Sequence, residues 1–164
     1  MTFARNQVAI VGYSQSRIER HSALPLGALA VQTARAAIAD AGLRVDQVDG
    51  FVTGSLFPTA GAHLVEDGRS VVTADWLAQH LGVSPRYSAG FQGYGQIPGS
   101  VAMAVNAIKS GSADYVVMHR ALHNPQGSYH GNPMTEIAGP LQWTGPQGFF
   151  VPITMIGLTY NEDP

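Results

Sequence analysis

Residues 98–119 read PGSVAMAVNAIKSGSADYVVMH, and the reading of this stretch decides the fold. From Pro98 to Ser110 the apolar side chains Val101, Ala102, Met103, Ala104, Val105, Ala107 and Ile108 point in every direction around a helix. Only Asn106 and Lys109 are strongly polar. A helix apolar all round is predicted to be buried on all sides. Asp114–His119 (DYVVMH) reads as a strand. Upstream, Arg86–Phe91 reads as another strand. Before it stands a helix with Thr73 as N-cap, running through Trp76, Leu77, His80 and Leu81 to Gly82. Val48–Gly54 (VDGFVTG) is a further strand. Pro25–Gly42 is a helix with its proline in the first turn and Gly42 as its left-handed stop. Val8–Tyr13 (VAIVGY) is a continuous apolar run that suits a strand buried on both faces. Strands alternating with Ala-rich helices predict an α/β fold, a mixed sheet layered with buried helices.

Beyond Ala121 the chain changes character. From there to Asn161 the only charged residue is Glu136, while glycine and proline recur and Tyr129, Trp143, Phe149, Phe150 and Tyr160 supply aromatic area. Solvated linkers are charged and poor in aromatics. The composition predicts an ordered cover over a pocket or an interface. Two regions are therefore expected: an α/β domain over 1–120 and a Gly/Pro-rich loop region over 121–164.

The 164 residues contain no cysteine, 9 Lys plus Arg and 11 Asp plus Glu, a formal charge of −2. There is no disulfide framework, thiolate metal site or cysteine nucleophile. The balance also lacks the basic footprint of a nucleic-acid binder. No apolar run reaches the ~20 residues of a membrane span, and no signal peptide opens the sequence, so a cytoplasmic protein is expected. Charged residues make up 12% of the chain, against about 25% in an average domain. Such a surface is expected to be covered in part by another subunit, most simply in a homodimer.

Six histidines invite a metal reading, but none forms a helical H-x-x-x-H pair and no cysteine supports them, so no metal is expected. His21, His63 and His80 read as surface or loop residues. His119, His123 and His130 gather at and beyond the carboxyl end of an expected parallel strand, where open α/β sheets bind ligands. They are candidate pocket residues, with ordinary loop positions as the alternative. Gly90-Phe91-Gln92-Gly93-Tyr94-Gly95 lacks the lysine of a phosphate loop. Gly93 and Gly95 flank Tyr94 just before a helix, which is either a tight turn or a site where free N–H groups meet an oxyanion. The carboxylates, Glu66-Asp67 included, read as isolated and solvated.

The order of VAIVGYSQSRIER (8–20), LGALAVQTARAAIADAGL (26–43), VDGFVTGS (48–55) and SVAMAVNAIKSGSADYVVMHRALHNPQG (100–127) resembles the N-terminal half of the thiolase superfamily. The branch it resembles is the sterol-carrier-protein-type thiolases, or lipid-transfer proteins. The likeness runs to about Pro152. It implies a layered thiolase fold, an acyl-CoA substrate with no further cofactor, and a homodimer with Arg86–Phe91 at the contact. An OB-fold partner subunit is implied as well. In condensing thiolases a nucleophilic cysteine stands at the start of the buried helix, and its place falls here on Tyr94 or Gly95. A phenol, with a pKa near 10, is a poor nucleophile for thiolysis.

Family members without the cysteine include retro-aldolases acting on steroid or other acyl-CoA. In that reading Tyr94 and His123 are the catalytic candidates, and Gly93, Gly95, His119 and His130 line the substrate site. The alternatives are a non-catalytic acyl-CoA or lipid-binding scaffold and an inactive truncated fragment, since the family's C-terminal half has no counterpart in these residues.

Overall fold

The computed structural model describes residues 7–19, 22–54, 66–69, 71–91 and 96–122, which belong to one compact unit. Apart from Ala121 and Leu122, the expected loop region over 121–164 lies outside the described residues.

Among the described residues, three helices and three strands follow in the order α1 (Leu26–Asp40), β1 (Gly50–Thr53), α2 (Ala74–Leu81), β2 (Tyr87–Gly90), α3 (Gln96–Lys109) and β3 (Val116–His119), with a short 3₁₀ turn at Val45–Gln47. The sheet is parallel throughout, in the order β2-β1-β3. In register, Gly50 faces Tyr87 and Val116, and Thr53 faces Gly90 and His119. The fold is α/β, as the alternation of segments predicts.

The central position of β1 explains its composition. All four of its residues are buried, and Phe51 and Val52 are fully enclosed. Side chains alternate across a strand. Phe51 packs with Leu26, Ala34 and Ile38 of α1 and with Ala74, Leu77, Ala78 and Leu81 of α2. Burying one such ring contributes about 2–3 kcal/mol. The opposite face is crowded at Gly50, where a Cβ would stand 2.8 Å from the Val116 side chain and 2.9 Å from Ala113. On that side α3 packs on the sheet, with Ser100 and Ala107 buried.

The α2 boundaries match their sequence signals. Thr73 Oγ1 accepts from Trp76 N at 3.1 Å, capping the first turn, and Gly82 closes the helix at φ +79°. Pro25 stands just ahead of α1 in an extended conformation, and Gly42 beyond it has φ +70°.

Two expectations are overturned. Val8–Tyr13 is not a strand among the described residues and is not buried on both faces: Ile10 is 83% exposed, and Val11 and Tyr13 lie open as well. The run leans on α1 by one side only. Gly12 meets the Ala37 carbonyl and Ala41 so closely that a Cβ has no room, and Tyr13 N donates to Asp40 Oδ2 at 2.9 Å. An apolar run fixes extended backbone but not the neighbour that pairs with it. Nor is α3 buried on all sides, because Ile97, Ala102, Asn106 and Lys109 are exposed. Its small residues let one face lie close on the sheet, which leaves the far side open.

Candidate functional site at the carboxyl edge of the sheet

From the carboxyl end of β1 the chain proceeds to α2 on the Phe51 face; from that of β2 it proceeds to α3 on the other face. Neighbouring strands whose connections depart to opposite faces leave a crevice beyond their carboxyl ends, the usual ligand position of open α/β sheets. Phe91, the first residue past β2, sets its ring against Gly99 in the first turns of α3, where a Cβ would be 2.5 Å from the ring. Phe91 N donates to Thr53 O at 3.0 Å, and Ser100 Oγ reaches the same oxygen at 3.4 Å.

On the α2 side of this edge, two neighbouring strand ends converge on one atom. Thr53 and His119 are register partners, so their side chains leave the sheet on the same face. Thr53 Oγ1 donates to the Val72 carbonyl at 3.2 Å, and His119 Nε2 is 2.9 Å from it. A carbonyl can only accept, so Nε2 carries the proton of this bond. In the neutral ring Nδ1 is then a bare lone pair. That atom is sealed from solvent and has no hydrogen-bond partner among the described residues. Burial holds the imidazole below the ordinary histidine value of 6.5, outweighing the Val72 hydrogen bond and the charge of Asp67, which both act to raise it. His119 is therefore neutral at physiological pH, a hydrogen-bond acceptor through Nδ1.

Asp67 is not the solvated loop residue expected from its position. Its carboxylate accepts from Thr73 N at 2.9 Å and from Thr73 Oγ1 at 2.5 Å. Thr73 thus gives its proton to Asp67 while taking one from Trp76 N, which ties the approach to α2 to the entry of that helix. Glu66 pairs with Arg69 at 3.1 Å. Asp49, also expected to be isolated, is a hub at the other end of the sheet: it accepts from Asp114 N and Tyr115 N, both at 2.9 Å, and from Arg86 at 3.0 Å. His80 is exposed, as expected of a surface histidine, and stacks on the Trp76 ring at 3.6 Å between centroids.

Of the sequence-derived site candidates the structure describes His119, at the expected strand end. Tyr94, His123, Gly93, Gly95 and His130 lie outside the described residues, as do His21 and His63. The sequence does not single out Thr53, and it reads Asp67 only as a solvated loop carboxylate. A threonine closing an otherwise apolar strand was the available signal for the first; Asp67 offered none, because its partner is set by a turn at Gly68. A hollow of about 750 Å³ lies elsewhere, between α1 and α2, lined by Pro25, Val31, Gln32, Trp76 and His80 among others. Among the described residues no group of three metal-ligating side chains gathers, and no helix is long and apolar enough to cross a membrane.

These features define an open α/β unit whose carboxyl edge carries an acceptor histidine. No family model and no curated relative matches the chain. A solved structure described as an Ltp2–ChsH2(DUF35) aldolase contains a chain similar to this one. The two are 26% identical with a TM-score of 0.62, over 92% of this chain and 36% of that one. This sequence thus spans about a third of that neighbour's length.

Proposed function

We propose that this chain forms the N-terminal part of a thiolase-like enzyme of acyl-CoA carbon–carbon bond chemistry, of the retro-aldolase type, acting on a steroid or lipid acyl-CoA. The observation that carries this reading is the similarity, over nearly all of this chain, to a protein whose description is an aldolase. The absence of cysteine agrees, because thiolysis through an acyl-enzyme needs a thiolate where this chain has Tyr94 or Gly95. In a retro-aldol cleavage, a base removes the proton of the β-hydroxyl. The Cα–Cβ bond then breaks, its electron pair passes to the thioester as an enolate, and a carbonyl compound leaves. Hydrogen-bond donors stabilise the enolate oxygen as charge develops.

The neighbour's description names two components, and a partner subunit is accordingly part of the proposal. The sterol-carrier-protein-type branch, the OB-fold character of the partner and a homodimer meeting at the β2 side belong to the same reading. Tyr94 and His123 remain the catalytic candidates, with Gly93, Gly95, His119 and His130 around the substrate. The test is to incubate the complete gene product and its partner with a 3-hydroxyacyl-CoA and to follow both products by mass spectrometry. A carbonyl compound and a shortened acyl-CoA in equal amounts support the proposal. Binding without cleavage would replace it by the scaffold reading, and a covalent acyl-enzyme on incubation with acetyl-CoA would overturn it.

A further inference from the structure

We draw no further inference here: the strongest candidate, the open apolar side of the Val8–Tyr13 run beside α1, which exposes Ile10, Val11 and Tyr13, carries none because nothing among the described residues shows what covers it.

Discussion

The two ends of the sheet are built to opposite rules. At the amino end, Asp49 gathers the Asp114 and Tyr115 N–H groups and the Arg86 guanidinium. Arg86 in turn reaches Asp114 at 3.1 Å and the Gly111 carbonyl at 2.7 Å. One carboxylate and one guanidinium thereby bind the starts of all three strands, although Arg86 itself is half exposed. At the carboxyl end the polar groups point inward, and among the described residues Val72 O has two hydrogen-bond donors while His119 Nδ1 has no partner. A closed hydrogen-bond network fixes a fold, while a buried acceptor without a partner costs stability.

The largest expected effect falls on the fastened end. Asp49→Ala leaves two strand N–H groups without their acceptor and Arg86 with only Asp114 and the Gly111 carbonyl, and should cost about 3 kcal/mol of stability. This loss is read as a shift of the urea midpoint at unchanged slope. A loss under about 1 kcal/mol would mean that the amino end is not the fastening. At the carboxyl end, Thr73→Ala removes the cap of α2 together with the hydroxyl donor to Asp67, leaving the Thr73 N–H bond, and should cost about 1–2 kcal/mol in the same measurement. Arg86→Ala should cost less, about 0.5–1 kcal/mol, since an exposed guanidinium is screened by water. A double-mutant cycle with Asp49→Ala isolates the coupling between the two.

The smallest effect is a slope, because the Val72 bond and the Asp67 charge offset part of what burial does to His119. Its folded pKa lies below the unfolded value of 6.5, so the unfolded chain binds more protons as the pH falls through that interval. The stabilisation is complete above pH 6.5 and is lost as the pH drops from there through the folded pKa. Unfolding measured between pH 7.5 and 5 should show this decline in the wild type and a shallower one in His119→Gln. A stability that rises on acidification would contradict a neutral His119.

The sequence by itself determined the alternation of helices and strands and several of their ends. These signals are local: the Thr73 hydroxyl finds an N–H three residues away, Gly82 and Gly42 take up positive φ, and the apolar run around Phe51 has one stable environment, a buried strand. It also determined that His119 stands at the end of a strand. Pairing and satisfaction were decided by the tertiary structure, because each depends on residues far apart in the chain. Val8–Tyr13 has the composition of a buried strand, yet its surroundings are set by α1, which Gly12 and Asp40 bring against it on one side only. Asp49 meets Tyr115 across 66 residues and His119 meets Val72 across 47, distances over which no periodicity carries information. Nothing in the residue type tells a satisfied imidazole from one with an open nitrogen. The packing of β3 against the entry of α2 decides it, by bringing one carbonyl to Nε2 and no donor among the described residues to Nδ1.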